Sequence, residues 1–201
     1  MKKARVIILA AALVLASSWL SACEGDNPLK HCVVSRRAEK STEKAREEAD
    51  SSWPALKSFS AKTLDGETLT EKDLAGRDLT VINIWQTTCG PCIDEMPELA
   101  KLAASLPERV SLITWCLDAP GSEETVADIL KDAGYESATI ISGSGDLEKI
   151  CHTLMYTPTT LAYDGSGAVI GEPLIGSPQN AEEAYTDFIN QALKAAGKEP
   201  L

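Results

Sequence analysis

Two cysteines separated by two residues, Cys89 and Cys92, are the most distinctive reactive group in the sequence. Gly90 and Pro91 separate them, and the pair directly follows an apolar run at residues 79–86. Cys89 is therefore expected at the first turn of a helix, where unpaired N–H groups and the helix dipole stabilise a thiolate. Thiolate is the attacking species in disulfide exchange. The pattern predicts Cys89 as the nucleophile and Cys92 as the thiol that resolves the mixed disulfide.

A zinc site is the main alternative for a Cys-x-x-Cys pair, because such pairs often supply half of the four ligands. A second pair with this spacing is missing from the sequence, since Cys116 and Cys151 each stand apart. The two histidines, His31 and His152, are also isolated. Neither a metal nor another cofactor is predicted, and disulfide exchange is the favoured chemistry.

The elements that position the pair alternate between strand and helix patterns, which is typical of an α/β domain. The apolar run at 79–86 predicts a buried central strand before the cysteines, and residues 91–105 predict the helix after them. A hairpin is expected over residues 58–69, because Asp65-Gly66 is a strong turn signal. The other predicted elements are strands at 110–116 and 137–141, helices at 122–134 and 146–155, a second hairpin over 159–174 and a last helix over 180–197.

Two stretches of sequence resemble a known family, the TlpA/ResA-like extracytoplasmic thioredoxins. Residues 83–97, Asn-Ile-Trp-Gln-Thr-Thr-Cys-Gly-Pro-Cys-Ile-Asp-Glu-Met-Pro, resemble the active-site strand and helix of that family. Residues 157–160, Thr-Pro-Thr-Thr, resemble its cis-proline loop. The resemblance, which extends over about residues 55–196, implies a three-layer α/β/α, thioredoxin-like fold. That fold would have a mixed central sheet, an N-terminal β-hairpin extension and a strand–helix insertion.

The resemblance also implies roles for residues around the cysteine pair. Pro158 is expected to be cis and to place Thr157 against Cys89, where it would bind a substrate segment. Glu95 would tune the thiol pKa values and relay protons, with an exposed helical glutamate as the simpler alternative. Trp85 would form a wall of the active site and contact substrate; a plain core tryptophan is its alternative.

Two positions differ from the thioredoxin pattern. Asn83 stands where ordinary thioredoxin has a buried aspartate, so that route of proton transfer is absent and Glu95 is the better candidate. Thr88 stands where the family usually has a tryptophan, immediately before the first active-site cysteine. This second difference removes a bulky surface beside Cys89, which bears on substrate preference but not on the exchange chemistry.

Residues 1–22 have the pattern of a bacterial lipoprotein signal peptide. Basic residues precede an apolar run that is shorter than the roughly 20 residues needed to span a bilayer. The run ends at Leu20-Ser21-Ala22-Cys23, which resembles a lipobox. The sequence therefore predicts cleavage before Cys23, acylation of its thiol and a domain outside the cytoplasm. An uncleaved anchor helix with an incidental cysteine is the alternative.

The chain has 201 residues and a formal net charge of −11, which suits one domain with appendages. Residues 23–52 mix charges without an apolar face and predict a flexible tether, which leaves residues 53–201 for the domain. The acidic balance argues against binding to nucleic acid, which selects basic surfaces.

Three further cysteines remain once Cys23 and the active pair are set aside. Cys116 and Cys151 could form a second disulfide, because the domain is expected in an oxidising compartment. Cys32, in the tether, would then be an unpaired thiol. The alternative for Cys151 is a buried core cysteine on the apolar face of its helix.

These features together predict a membrane-anchored thiol–disulfide oxidoreductase. Gly-Pro between the cysteines, as in thioredoxin, favours a reducing role by analogy. The resemblance suggests exported proteins with oxidised cysteines as substrates, such as apocytochrome c or repair enzymes, and a membrane thiol-transfer protein as electron donor. The alternatives are a disulfide-forming oxidase or isomerase, or a lipoprotein that binds a ligand without redox turnover.

Overall fold

The computed structural model describes residues 53–201. The predicted signal peptide and tether lie outside these residues. The strands are β1 (Phe59–Thr63), β2 (Thr68–Thr70), β3 (Leu79–Trp85), β4 (Val110–Cys116), β5 (Thr139–Gly145), β6 (Thr159–Tyr163) and β7 (Leu174–Ile175). The helices are α1 (Glu71–Ala75), α2 (Gly90–Ser105), α3 (Glu123–Ala133), α4 (Asp146–Thr153) and α5 (Ala181–Ala195).

The strands form one mixed sheet in the order β2-β1-β5-β4-β3-β6-β7. The three central strands β3, β4 and β5 are parallel, whereas β1 and β6 pair antiparallel with β5 and β3. Every residue of β3 is buried, because this strand has a neighbour on each side and helices over both faces. The three-layer α/β/α architecture and the N-terminal hairpin agree with expectation.

The two faces of the sheet carry separate hydrophobic clusters. On one face α2, α3 and α5 cover β3, whose side chains at positions 79, 81, 83 and 85 point toward them because side chains alternate along a strand. On the other face α1 and α4 cover Ile82 and Ile84. Asn83 therefore lies on the same face as the helix that follows the cysteine pair, and can meet its side chains.

The second predicted hairpin differs from the structure. β6 ends at Tyr163 as expected, but the returning segment forms only a single bridge at Val169 before the two-residue β7. Gly171 adopts a left-handed conformation with φ +73°, and Pro173 has no N–H to offer a ladder. These two residues interrupt the predicted strand.

None of the helices within residues 53–201 combines the length and the apolar character needed to cross a membrane.

Candidate active site

The turn between β3 and α2 is fixed by a carboxylate from the neighbouring strand. Trp85 and Cys116 are paired across β3 and β4, so the segments after both strands begin at the same edge of the sheet. Asp118 lies there and accepts two hydrogen bonds from Thr87, one from its backbone N–H at 2.9 Å and one from its hydroxyl at 2.6 Å. Burial alone would raise the pKa of Asp118, but the hydrogen bonds from Thr87 and Cys116 outweigh it and lower the pKa. The ionised carboxylate thus holds the loop that leads to Cys89.

Cys89 and Cys92 are joined by a disulfide at the start of α2. The S–S distance is 2.01 Å and the two Cα atoms lie 5.3 Å apart. Cys89 occupies the N-cap position and Pro91 the first turn, where a proline costs no hydrogen bond. Cys92 is fully buried, while Cys89 is partly exposed. An external thiol or disulfide can therefore reach the Cys89 sulfur only.

The loop before β6 lies against the exposed sulfur. The Thr157–Pro158 peptide bond is cis, as expected, and the Sγ of Cys89 lies 3.6 Å from the carbonyl oxygen of Thr157. The hydroxyl of Thr157 donates to the side-chain oxygen of Gln86 at 3.3 Å, which ties this loop to the end of β3. The carbonyl oxygen of Thr157 therefore lies directly beside the partly exposed sulfur of Cys89.

Glu95 is buried, so the alternative of an exposed helical glutamate does not describe it. Its Oε1 accepts hydrogen bonds from the Asn83 amide at 3.0 Å and from the Tyr185 hydroxyl at 3.0 Å. Burial raises the pKa of Glu95; the nearby Ser177 side chain and the hydrogen bonds from Tyr185 and Asn83 act against this rise without cancelling it. The carboxyl group is therefore poised to hold a proton closer to neutral pH than an exposed glutamate would.

The polar side chains around Glu95 offer more hydrogen-bond acceptor atoms than donor hydrogens. The Nδ2 atom of Asn83 lies within hydrogen-bond distance of three oxygens: Glu95 Oε1, Thr160 Oγ1 at 3.1 Å and the Tyr185 hydroxyl at 2.9 Å. An amide nitrogen carries two hydrogens, so Asn83 can serve only two of them at once. The Tyr185 hydroxyl also lies 3.1 Å from Thr160 Oγ1. The four side chains form one buried network in which protons can be redistributed.

Three buried polar side-chain atoms among the described residues have no hydrogen-bond partner of normal geometry: Asn83 Oδ1, Trp85 Nε1 and Glu95 Oε2. Ser177 is close enough to lower the pKa of Glu95, yet it makes no such bond to Oε2. A buried carboxylate oxygen without a donor is costly. This favours the neutral carboxyl group, in agreement with the direction of the pKa shift.

Trp85 is fully buried in the cluster that also contains Cys92. Its indole can support the disulfide from inside, but it offers no surface to a substrate in this conformation. The structure thus favours the core-tryptophan alternative over a substrate-binding role.

The predicted Cys116–Cys151 disulfide is wrong. Cys116 is a free, buried thiol, and its S–H donates to Asp118 at 3.2 Å. Cys151 is engaged in a disulfide bond of its own. The reason is the sheet itself, since Cys116 packs in the cluster beneath α2 while Cys151 packs in the cluster beneath α4, on the opposite face. Burial raises the pKa of Cys116, which makes this thiol unreactive.

Sequence reasoning missed the partners Tyr185, Thr160 and Asp118. Tyr185 sits on the apolar stripe of α5 with Ile189 and Leu193, which hides a polar function. The position of Asp118 could have been predicted, because this residue follows a strand that was expected to end beside the cysteine pair. Within residues 53–201, the acidic side chains, histidines and cysteines form no group of three or more that could hold a metal ion.

Residues 54–171 match the AhpC/TSA family, and the chain belongs to this family. Its sheet and helices have the thioredoxin-like arrangement. The crystal structure of StoA from Bacillus subtilis superposes with a TM-score of 0.52 at 25% identity, over 65% of this chain and 96% of that one. A thiol:disulfide interchange protein from Chlorobium tepidum TLS, described as a thioredoxin family protein, gives a TM-score of 0.54 at 20% identity, over 71% and 97% of the two chains.

Among similar sequences is the thiol–disulfide oxidoreductase ResA of Bacillus thuringiensis subsp. konkukian, which is 30% identical over 115 residues, or 57% of this chain. The sporulation thiol–disulfide oxidoreductase A of Bacillus subtilis is 27% identical over 139 residues, or 68% of this chain and 80% of its own. The chain spans 64% of the length of ResA and of the thioredoxin-like protein YneN of Bacillus subtilis.

Proposed function

We propose that this protein is a thiol–disulfide oxidoreductase that reacts through Cys89 and Cys92. The observation that carries the proposal is the asymmetric disulfide at the start of α2, with one sulfur partly exposed beside the Thr157 carbonyl and the other fully buried. Relatives that bear the name thiol–disulfide oxidoreductase support it.

In the reducing direction the exchange has two steps. The Cys89 thiolate attacks one sulfur of a client disulfide, so that a mixed disulfide forms and the second client sulfur leaves as a thiolate. The Cys92 thiolate then attacks Cys89 Sγ, which releases the first client sulfur and restores the Cys89–Cys92 disulfide. Two electrons pass from the dithiol of the protein to the client.

The second step requires a proton acceptor for Cys92, because a buried thiol does not ionise readily. Glu95 lies three residues further along α2, and residues at this spacing are neighbours on a helix. Its buried carboxyl group, with Oε2 free of partners, is the group that we assign to this proton. Asn83, Tyr185 and Thr160 hold the carboxyl group in place.

The wider setting of the reaction is also part of the proposal. Residues 1–22 would be a lipoprotein signal peptide, residues 23–52 a tether from lipidated Cys23, and residues 53–201 the catalytic domain. The domain would reduce exported proteins with oxidised cysteines and be recharged by a membrane thiol-transfer protein. Apocytochrome c and repair enzymes are the client classes suggested by the family resemblance.

Trapping of the mixed disulfide tests the roles of the two cysteines. Cys92→Ser, incubated with a disulfide-bridged peptide, should accumulate an adduct through Cys89 that mass spectrometry detects, because the resolving thiol is missing. Cys89→Ser is the matched control and should accumulate little. Equal adduct formation in both variants would refute the assignment of Cys89 as nucleophile.

Equilibration with glutathione tests the direction of the reaction. A Cys89–Cys92 potential well below about −200 mV supports a reductant, whereas a value near about −120 mV supports an oxidant. Fatty-acid labelling in a bacterial host tests the anchor: Cys23→Ser should abolish the label, and unchanged labelling would refute acylation at that residue.

A further inference from the structure

A cavity of about 150 Å³ lies on the face of the sheet that α1 and α4 cover. Its floor is apolar and is formed by the three central strands, through Ile82 of β3, Ile113 of β4 and Ile140 of β5. A parallel sheet is usually covered along both faces, but α1 has only five residues. The cavity is therefore the space that this short helix leaves over the first half of β3 and β4.

Two hydroxyl groups line the cavity at the start of these strands. Thr80 and Ser111 are paired across β3 and β4, and both contribute to the lining. Thr80 is 4% exposed, yet its hydroxyl makes no hydrogen bond to any other residue within 53–201, and the same holds for the half-buried Ser111. The cavity gives access to the Thr80 oxygen, in contrast to the enclosed Oε2 of Glu95. A buried hydroxyl without a partner is costly, so a polar ligand atom that reaches Thr80 would remove this cost.

The charged groups at the cavity balance each other. Asp73 and Arg77 line it and are exposed, and no other charged residue of the described part of the chain does so. Arg77 donates to the carbonyl of Glu108 at 2.6 Å, and Asp73 accepts hydrogen bonds from the backbone N–H and the hydroxyl of Thr70. Because one positive and one negative group are both engaged with the protein, the cavity has no net preference for a cation or an anion.

We propose that this cavity binds a small neutral molecule that combines an apolar ring or branched chain with one hydroxyl group. An apolar cavity of about 150 Å³ is large enough for a ring of the size of benzene. The ring would lie on the isoleucine floor, and the hydroxyl would form hydrogen bonds with Thr80 and Ser111. The cavity lies at the start of β3, whereas Cys89 follows the end of this strand, so the inference does not depend on the proposed function.

Phenol is the probe that tests the inference, and toluene is the matched ligand of the same size that lacks the hydroxyl group. Both are titrated into the isotope-labelled full-length protein, and the amide NMR shifts of Ile82, Ile113 and Ile140 report on binding. Phenol should cause saturable shifts at these positions. Thr80→Val should weaken phenol binding about tenfold, which is the effect of one lost hydrogen bond, and should leave the dissociation constant of toluene unchanged. Benzoate and benzylammonium, which carry a charge, should each bind at least about tenfold more weakly than phenol.

Thr125→Val is the matched control, because it makes the same chemical change at an exposed threonine of α3. This helix packs on the other face of the sheet, so the variant should keep both dissociation constants. Ser111→Ala removes the second hydroxyl at a half-buried position and provides an independent measurement if Thr80→Val folds poorly. It should also weaken phenol binding and leave toluene binding unchanged.

The outcomes separate the inference from the proposed function. Absence of saturable shifts in the full-length protein would overturn the inference, since another part of the chain or a second copy would then fill the cavity. Equal loss of phenol and toluene binding in Thr80→Val, or benzoate binding as tight as that of phenol, would also overturn it. Reduction of oxidised glutathione by the reduced protein tests the proposed function separately, and its rate should be the same with and without phenol.

Discussion

Removal of the Tyr185 hydroxyl isolates the contribution of the buried network to proton transfer. Tyr185→Phe keeps the ring that packs in the core and deletes the O–H that donates to Glu95 Oε1 at 3.0 Å. This hydrogen bond stabilises the ionised carboxylate, so its loss should raise the pKa of Glu95 above its already raised value.

The size of the shift follows from the hydrogen bonds that remain. A hydrogen bond to a charged group contributes about 1.5–3 kcal/mol. The variant also frees the Asn83 amide from one of its three acceptors, so Asn83 can donate to Glu95 more fully and recover part of the loss. A net loss of about 1.4 kcal/mol corresponds to a rise of about one pKa unit.

The pH dependence of peptide-disulfide reduction measures this shift. If ionised Glu95 accepts the Cys92 proton, the rate falls on the acidic side as Glu95 becomes protonated. That limb of the profile should move to higher pH by about one unit in Tyr185→Phe, while rates at high pH stay the same.

Tyr135→Phe is the matched control for loss of a buried tyrosine hydroxyl. The Tyr135 O–H donates to the carbonyl of Leu112 at 2.9 Å and has no part in the network around Glu95. This variant should lose stability without any displacement of the pH profile. Superimposable profiles for Tyr185→Phe and the natural sequence would refute the reasoning.

Three further predictions concern other parts of the site. Glu95→Gln should lower the pKa of at least one active-site thiol, because a nearby negative charge is removed, and should slow reduction near neutral pH. The variant should also remove one pH dependence of stability. Because the pKa of the Glu95 carboxyl is raised in the folded state, its contribution to the free energy of unfolding is full below the unfolded pKa and is lost as the pH rises through the folded pKa. Unchanged thiolate titration curves and unchanged denaturation curves would contradict this prediction. Asp118→Ala should reduce the free energy of unfolding by about 2 kcal/mol at neutral pH. The reduction should be smaller in acid, because a carboxyl group with a lowered folded pKa stabilises the protein above its unfolded pKa and loses that contribution as the pH falls through the folded pKa. Equal denaturant midpoints for the variant and the natural sequence at pH 7 would disprove this prediction. Alkylation of the unfolded protein and peptide mapping without reductant should recover Cys116 as an alkylated thiol, and a Cys116–Cys151 peptide pair would contradict the structure.

Local signals predicted the fold and the position of the Cys89–Cys92 pair at the start of α2 well. The apolar run at 79–86 has the composition of a strand covered on both faces, and it became the fully buried β3. Asp65-Gly66 predicted the turn of the first hairpin, and Gly66 there has φ +88°. Cys89 at the N-cap of α2 follows directly from a strand that ends four residues earlier.

Contacts between distant residues could not be read in the same way. Tyr185 meets Glu95 across 90 residues of sequence, and its place on an apolar stripe predicts core packing instead of proton chemistry. Whether Cys116 could pair with Cys151 depended on the face of the sheet to which its side chain points. Strand β4 is buried on both faces, so its sequence has no polar–apolar alternation that would distinguish them. Burial of Glu95 likewise depended on α5, which packs over α2 from the far end of the chain.

The full burial of Cys92 has a kinetic consequence. Donor and client must react with the same Cys89 sulfur, so they cannot occupy the protein together and must alternate. Reduction of a client should therefore follow a double-displacement (ping-pong) mechanism, with parallel lines in double-reciprocal plots at different donor concentrations. Intersecting lines would mean that both partners bind at once, which a single accessible sulfur does not allow. An excess of electron donor would also compete with clients for the Cys89 sulfur. The rate of client reduction should therefore pass through a maximum as the donor concentration is raised at a fixed client concentration.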